Sequence, residues 1–269
     1  MFRNLSELYQ YRALLTALAV RELKARYRAS VLGFLWTFLN PTLSMMVYWI
    51  VFEVVMVRSG TVKAFPYFIF GGLLPWIFFS TSLLGGTTSI SDRRDLLTKV
   101  RFPAQVLPAT VVLTNLINLL LSVPLLVGLG MVFGVMPSWH LLLLIPVLVV
   151  QTFFTLAVAY LFAAMNVAFR DLQHIVASVV QLAFFLTPVL WSMTQVPPMF
   201  GLAQDETRRV VGLINPMAPL IQAWHDVFYD QTMPSDWAGL GLVALESLII
   251  MVISAHVFEK RREEFAELV

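Results

Sequence analysis

Three aspartates near the end of the chain are the best candidates in the sequence for acid–base chemistry. Asp226, Asp230 and Asp236 lie close together, and grouped carboxylates can serve an enzyme as general acid and general base. Such a group also occurs in ordinary solvated loops. The loop is the favoured interpretation, and a glycan-modifying enzyme is kept as an alternative.

Other catalytic signatures are missing from the sequence. It contains no G-x-x-x-x-G-K-[ST] phosphate loop, so it predicts no ATPase site of its own. The four histidines, His140, His174, His225 and His256, show no metal-ligand spacing. There is no cysteine, which excludes disulfides and thiol nucleophiles. We therefore expect no metal and no cofactor in this chain.

A dense charge cluster, "SDRRDLLTKVRFP", occupies residues 91–103 of a chain that is only 13% charged. Ser91 is a candidate helix N-cap. Acidic residues occur in the first turn of the segment and basic residues in the last, a distribution that the helix dipole favours. Leu96 and Leu97 share a face, and Pro103 ends the helix. The pattern predicts a short amphipathic helix, which either docks on a partner or lies on lipid headgroups.

The N-terminal segment 1–30 predicts a second amphipathic helix. Its apolar residues follow helical spacing, with a shift of the stripe near the middle, and the bases lie opposite. The apolar stripe consists of Leu8, Tyr11, Leu15 and Leu18, followed by Val20, Leu23 and Tyr27. We expect this helix to lie in the membrane interface with its bases towards anionic lipid.

The elements that position these features are membrane spans. The chain has 269 residues, of which 59% are hydrophobic, and its mean hydropathy is +0.80. Apolar runs of about 20 residues with few or no charges are long enough to cross a bilayer as helices. Six such runs occur, at about 31–57, 67–90, 104–133, 141–164, 174–193 and 237–258. The fold class is therefore predicted as an all-α polytopic membrane protein with one transmembrane domain over 1–269.

The distribution of basic residues predicts the orientation. Of the 18 Lys and Arg residues, 14 lie in segments 1–30, 88–103, 165–173 and 259–269, and four lie on the other side. This places both termini in the cytoplasm. The outer segment 194–235 contains apolar stretches and is expected to form re-entrant helices between spans five and six.

Several stretches, in order along the chain, together resemble one family. They are "ARYRASVLGFLWTFLNP" (25–41), "LLPWIFFSTSL" (73–83), "DLLTKVRFPAQVLPAT" (95–110), "NVAFRDLQHI" (166–175), "FFLTPVLWSM" (184–193) and "LINPMAPLI" (213–221). The likeness is to ABC-2 type permeases that export polysaccharides and polyol phosphates, such as O-antigen, capsule and teichoic acid. The chain departs from the family after the outer Asn-Pro, where an arginine is often found and this sequence has Trp224 and His225.

The resemblance implies that the segment after span two is a coupling helix, docked on a separate ATP-hydrolysing subunit. The implied contacts are Arg93, Arg94, Leu96, Leu97, Lys99 and Arg101, with a second contact at Phe169, Arg170 and Asp171. The implied unit is a homodimer of permeases with two ATPases, which bind the ATP and Mg²⁺. The implied substrate is a lipid-linked glycan or polyol phosphate moved outward across the bacterial cytoplasmic membrane, with no nucleic-acid partner.

Aromatic residues on spans one and five are candidates for the substrate path, because sugar rings pack on aromatic planes. They recur at steps of three and four, so they share one helix face. The candidates are Phe34, Phe38, Tyr48, Trp49 and Phe52 on span one, with Gln181, Phe184 and Trp191 on span five. The alternative is that these stripes pack against neighbouring helices, with Trp36 expected on the opposite, protected face.

Two further interpretations stay open. An ABC-2 permease for a drug or lipid would differ only in its substrate. Within span six, Glu246 requires a polar environment, because a charge in the bilayer centre is unfavourable. We expect it to pair with Asn115 or Asn118, or to face a wet subunit interface.

Overall fold

The described part of the chain is built from helices. The computed structural model describes residues 10–27, 30–55, 63–93, 102–199, 201 and 203–260, and these ranges contain no strand. Their α-helices are α1 (Arg12–Tyr27), α2 (Trp36–Trp49), α3 (Phe65–Thr88), α4 (Val106–Val132), α5 (Leu144–Asn166), α6 (Leu172–Leu186), α7 (Gln204–Ile214), α8 (Met217–Phe228) and α9 (Trp237–Lys260).

Short helical turns extend or join these helices. A 3₁₀ turn, Gly33–Leu35, leads into α2, and a π-helical segment, Ile50–Val55, continues it. Further 3₁₀ turns are Ser91–Arg93, Trp139–Leu143 and Met193–Gln195. The first apolar run is thus one nearly continuous helix of changing pitch.

Helix α3 forms the centre of the bundle. It packs against α2, α4, α5, α6 and α8, and Phe70, Trp76 and Phe78 are buried along its length. A helix that is apolar on all sides is expected at the core of a bundle. This arrangement places α3 next to most of the other spans.

Helix α9 packs along α5 at the edge of the bundle. Ala157, Ala163 and Ala164 of α5 are fully buried, and small residues let two membrane helices approach closely. The Ser254 hydroxyl of α9 donates a hydrogen bond of 3.0 Å to the Ala157 carbonyl. The other face of α9 is aliphatic and exposed, as contact with lipid favours.

Five of the six predicted spans are helices that are long and apolar enough to cross a membrane. They are Gly33–Val55, Phe65–Thr88, Val106–Val132, Trp139–Asn166 and Trp237–Lys260. The third continues through Pro124. The prediction of an all-α polytopic membrane protein is therefore confirmed, with boundaries close to those expected from the apolar runs.

The fifth apolar run differs from a single long span. Helix α6 has 15 residues, which is about 22 Å, and this is shorter than a hydrocarbon core of roughly 30 Å. It stops because Thr187 precedes Pro188 and adopts an extended backbone, with φ −97° and ψ 142°. The chain from 187 to 190 remains buried. Crossing of the membrane by this segment stays a prediction.

Two helices form the segment expected to re-enter the membrane. Helix α8 packs against α3 and α5, and Trp224 on it is completely buried. The Trp224 indole donates to the Gln151 side-chain oxygen at 2.9 Å, and the Gln151 amide donates to the Pro75 carbonyl at 3.0 Å. The helices themselves are observed, whereas their re-entry stays a prediction.

Helix α1 packs against α4 and differs from the predicted stripe in one respect. Val20 is 46% exposed, whereas Ala19 is 1% exposed and Leu23 is half-buried. The covered face continues from Leu15 at a constant helical period, so the predicted shift of the stripe to Val20 is wrong. Leu8 and the N-terminal residues up to 9 lie outside the described residues.

Candidate substrate path and coupling surface

The predicted coupling surface begins at a 3₁₀ turn, Ser91–Arg93, after α3. Arg93 donates to the Glu22 carboxylate of α1 at 2.7 Å, and the two side chains are 26% and 19% exposed. Arg93 is thus engaged within the chain. The other predicted contacts of this segment, Arg94, Leu96, Leu97, Lys99 and Arg101, lie outside the described residues, so their role as coupling residues stays a prediction.

The second predicted contact lies between α5 and α6. Phe169 is 61% exposed, and Arg170 and Asp171 are also exposed. Just before this turn, the Asn166 amide donates to the Ser91 hydroxyl at 3.2 Å. The start of the charge cluster therefore contacts both α1 and the end of α5. Sequence spacing could not reveal these contacts, because their partners are about 70 or more residues apart in the chain.

Two of the predicted path residues meet where α2 packs near α6. The Tyr48 and Phe184 rings are 5.3 Å apart, and Phe184 also lies 5.7 Å from Trp76. Only 7% of Phe184 is exposed. Spans one and five are therefore adjacent, and this aromatic group packs inside the protomer.

The other predicted path residues are more accessible. Phe34 is 42% exposed and contacts Phe38 edge-to-face at 5.2 Å, and Trp49 is 38% exposed. Phe52 is half-buried. Trp191 lies beyond the end of α6 and its indole donates to the Phe185 carbonyl at 3.1 Å.

Gln181 belongs to a polar stripe that the aromatic pattern did not include. His174, Ser178 and Gln181 are all exposed and lie at steps of four and three on α6, followed by exposed Phe185. The Ser178 hydroxyl donates to the His174 carbonyl at 3.0 Å. Their spacing in the sequence was the available signal. An exposed polar stripe on an apolar helix indicates contact with water or with another subunit rather than with lipid.

The three outer aspartates do not form a catalytic cluster. Asp226 is 3% exposed and accepts hydrogen bonds from Gln222 at 2.6 Å, from the Ser235 backbone N–H at 2.6 Å and from the Ser235 hydroxyl at 2.7 Å. Asp236 accepts a bond of 2.8 Å from the Gly239 N–H at the start of α9. These carboxylates hold the outer loop together, and Asp226 is buried rather than solvated as the loop interpretation had it.

Asp230 differs from its neighbours. Burial, and then the charge of Asp226, raise the pKa of the Asp230 carboxyl. The neighbouring Asp226 is already held by Gln222 and Ser235, and the described residues contain no group of three or more His, Cys, Asp and Glu that could hold a metal ion. Nothing in this region favours the glycan-modifying enzyme.

His225 occupies the place where an arginine was expected from the family resemblance. It is 1% exposed, its ring lies 3.9 Å from the Phe68 ring, and its Nε2–H donates to the Phe68 carbonyl at 3.2 Å. Burial lowers the pKa of His225 to about 3, although that hydrogen bond opposes the shift. His225 is therefore neutral, and it supplies no positive charge to the outer loop.

Glu246 does not pair with Asn115 or Asn118, and the alternative, that it faces a wet subunit interface, stays a prediction. It is partly exposed on α9, and its Oε2 atom makes no hydrogen bond within the described part of the chain. Asn115 and Asn118 are not its partners. They lie on α4 and line a cleft with α2 and α3, whereas α9 packs mainly along α5.

Comparison with known proteins identifies the family of this chain. Residues 13–229 match the family model described as ABC-2 type transporter. The chain is 53% identical over 268 residues to the O-antigen export system permease protein RfbA of Myxococcus xanthus, covering 99% of both chains. It is 29% identical to a protein of the same name from Klebsiella pneumoniae, covering 95% of this chain and 94% of that one.

A more distant relative extends the comparison. The polysialic acid transport protein KpsM of Escherichia coli is 20% identical, covering 92% of this chain and 93% of that one. These matches cover nearly the whole chain, and the family is one of membrane transport proteins rather than enzymes. The chain belongs to the ABC-2 type transporter family.

Proposed function

We propose that this chain is the permease subunit of an ATP-driven exporter that moves a lipid-linked polysaccharide or polyol phosphate outward across the bacterial inner membrane. Its relatives include proteins named for export of O-antigen and transport of polysialic acid. The described part of the chain contains five helices that are long and apolar enough to span a membrane. In the proposed topology, 1–269 is one domain with six spans and both termini are cytoplasmic.

The working unit is proposed to be a homodimer of permeases with two ATP-binding subunits. ATP and Mg²⁺ bind to those subunits, because this chain has no phosphate-binding loop. The permease contributes the membrane path and the docking surface. The lipid anchor of the substrate stays with the membrane while the polymer passes.

The polar stripe of α6 is the observation that carries this proposal. His174, Ser178 and Gln181 are exposed on a helix that is otherwise apolar, and such groups are unfavourable against hydrocarbon. A second permease facing this stripe would enclose a wet path lined by amides, hydroxyls and the accessible aromatic rings. Hydrated sugars suit such a lining because their hydroxyls bond to polar groups while their C–H faces pack on rings.

Coupling is proposed to pass through the contacts of the Ser91–Arg93 turn. Movement of a docked ATPase would act on the segment that follows Arg93. The Glu22–Arg93 ion pair would carry that movement to α1, and the Asn166–Ser91 bond would carry it to the second loop. Each of these bonds joins two helices that are far apart in the chain, so a movement of the turn would shift the bonded helices together.

The proposal is tested by deleting the gene for this chain in its host and measuring polymer at the cell surface. We expect surface polymer to be lost and lipid-linked polymer to accumulate inside the cell, with both defects repaired by the wild-type chain. A matched control carries a partner ATPase without its phosphate-loop lysine and should show the same defects. Unchanged surface polymer, with retention of a drug or lipid instead, would support the alternative permease.

A further inference from the structure

A cleft with both polar and apolar lining lies between α2, α3 and α4. Its volume is about 480 Å³, within the range of roughly 300–1,000 Å³ of small-molecule sites. Spans one, two and three all contribute to its walls. The residues that define its chemistry are Trp36, Asn40, Thr81, Asn115, Asn118 and Ser122.

The cleft has an exposed mouth and a buried floor. Ser30, Trp36 and Asn40 at the mouth are exposed, and Ser30 precedes span one at its predicted cytoplasmic end. Phe78 and Ser122 on the floor are 2% and 3% exposed. A molecule would therefore enter near the cytoplasmic surface of the membrane and reach the apolar depth of the bundle.

The hydroxyl groups of the cleft have free acceptor capacity. The Thr81 hydroxyl donates to the Ile77 carbonyl at 2.6 Å, and the Ser122 hydroxyl donates to the Asn118 carbonyl at 2.9 Å. Each hydroxyl oxygen still has lone pairs that can accept a hydrogen bond. A ligand that donates hydrogen bonds at several positions matches them.

The remaining lining excludes a charged ligand and favours a ring. Among the described residues that line the cleft, none carries a charge, so a phosphate or an ammonium group would be desolvated without a counter-ion. The carboxamide of Asn40 offers both donors and acceptors, and Trp36 at the mouth and Phe78 on the floor contribute aromatic surface. A neutral ligand ring with an apolar C–H face and several hydroxyl groups meets these requirements.

We propose that this cleft binds a neutral sugar ring presented at the cytoplasmic surface of the membrane. The inference rests on the proposed function, since it assigns a recognition site for the glycan part of the exported substrate. The cleft differs from the predicted path, because neither Tyr48 nor any residue of α6 lines it, whereas Tyr48 packs with Phe184 of α6. It would select the substrate before transport.

The test uses cysteine accessibility in the full permease–ATPase complex in lipid nanodiscs, without ATP. The chain has no native cysteine, so Thr81→Cys reports on the cleft, and Thr16→Cys on the exposed side of α1 is the matched control. Labelling by a water-soluble methanethiosulfonate reagent is compared in three conditions. These are phosphatidylcholine alone, phosphatidylcholine with digalactosyldiacylglycerol, and phosphatidylcholine with free galactobiose.

We expect the glycolipid to slow labelling of Thr81→Cys at least threefold and to leave Thr16→Cys unchanged. The protection should persist with Trp36→Phe, which keeps an aromatic plane, and disappear with Trp36→Leu. Trp36 lies at the exposed mouth, and co-purification with the ATPase reports whether each variant folds. Protection by free galactobiose as well would mean that the site binds the sugar without its lipid.

Three results would overturn the proposal. They are equal labelling of Thr81→Cys in all three conditions, no labelling in phosphatidylcholine alone, and protection that survives Trp36→Leu. The labelling assay requires no transport, so a negative result would overturn the sugar site without overturning the proposed function. Conversely, cells that lack the chain and still display their polymer would overturn the proposed function while leaving sugar protection of the cleft intact.

Discussion

At the scale of single residues, buried polar groups are placed for packing rather than for catalysis. Trp224 and Gln151 bond to each other, and Asp226 is saturated by Gln222 and Ser235. A buried polar group is unfavourable unless it is hydrogen-bonded. These side chains therefore fix how α8 sits against the bundle, and burial keeps the adjacent His225 neutral.

The neutrality of His225 predicts a pH-dependent stability. Its pKa is about 3 in the folded chain and about 6.5 for an unfolded histidine, so the unfolded state binds more protons between these values. Its stabilising contribution is complete above pH 6.5 and decreases as the pH falls, by up to about 1.4 kcal/mol per pH unit. Thermal unfolding of the solubilised protein at pH 7 and pH 5 measures this decrease.

The control for this prediction is His225→Gln, which retains an N–H donor and does not titrate. We expect its melting temperature to fall less between pH 7 and pH 5 than that of the wild-type protein. An equal fall in both proteins would mean that other groups cause the acid sensitivity.

At the scale of helices, close crossings depend on individual glycines. A Cβ added at Gly86 of α3 would lie 2.9 Å from the Cβ of Ala159 on α5, whereas one added at Gly128 of α4 would meet nothing within 4 Å. Real Cβ contacts are longer than 2.9 Å, and Ala159 is rigid and fully buried. The two helices would have to separate to accommodate a methyl group at Gly86.

This difference predicts opposite effects of one substitution. Gly86→Ala should destabilise the protein by about 1–3 kcal/mol through overpacking, whereas Gly128→Ala should be neutral or slightly stabilising, because alanine favours the helix. Melting temperatures of the two variants in the same detergent provide the measurement. A Gly86→Ala variant as stable as Gly128→Ala would show that the α3–α5 crossing is loose.

Sequence periodicity predicted the helices more accurately than their contacts. The apolar runs predicted the first and last residues of five spans to within a few residues, because the length of a span is set by the thickness of the bilayer. The apolar run at about 174–193 did not predict where α6 ends. Thr187 does not interrupt this run, but it precedes Pro188 and has an extended backbone, so the helix ends before it. Gly130-x-x-x-Gly134 has the spacing typical of a close helix crossing, but only Gly130 lies within α4. Gly130 packs on Tyr67, whereas Gly134 has φ +82° and lies in the turn after α4.

The candidate site was predictable where it depended on one helix. The face shared by Tyr48 and Phe52 follows from their spacing, but the packing of Phe184 between Tyr48 and Trp76 requires knowledge of which helices are neighbours. The same holds for Glu22, whose partner Arg93 lies 71 residues away. Contacts between distant segments leave no periodic signal in a single sequence.

The Glu22–Arg93 pair predicts a rescue by charge reversal. Glu22→Arg and Arg93→Glu should each reduce export and substrate-stimulated ATP hydrolysis, because each places like charges against one another. The double variant restores an opposite pair and should recover at least half of the lost activity. If Arg93 instead acts by contacting the ATPase, the double variant will be as defective as Arg93→Glu, and co-purification of the two subunits will fall in both.

At the scale of the whole molecule, the exposed faces of α6 and α9 differ in character. The α9 face consists of aliphatic residues such as Leu245 and Leu248, which are 52% and 44% exposed. The α6 face combines Ser178 and Gln181 with exposed apolar residues. Lipid solvates the aliphatic face fully, whereas the polar stripe needs water or protein. In the proposed dimer, α6 therefore faces the path and α9 faces the bilayer.

This arrangement predicts a pattern of cysteine labelling across the dimer. In the complete complex, Gln181→Cys should react with a charged, water-soluble thiol reagent, because it lies on the wet side of α6. Leu248→Cys should be protected, since such a reagent does not enter hydrocarbon, even though both positions are exposed in the single chain. Phe184→Cys should also be protected, because Phe184 packs between Tyr48 and Trp76.

Cycling of the ATPases separates a static cavity from a working path. If the stripe lines the path, labelling of Gln181→Cys should increase several-fold with ATP, while Leu248→Cys stays unreactive. A rise at Phe184→Cys under the same conditions would mean that the contact between α2 and α6 opens during transport, which would bring the predicted aromatic residues into the path. Reaction at Leu248→Cys with protection of Gln181→Cys would reverse the assignment and place α9 at the subunit interface.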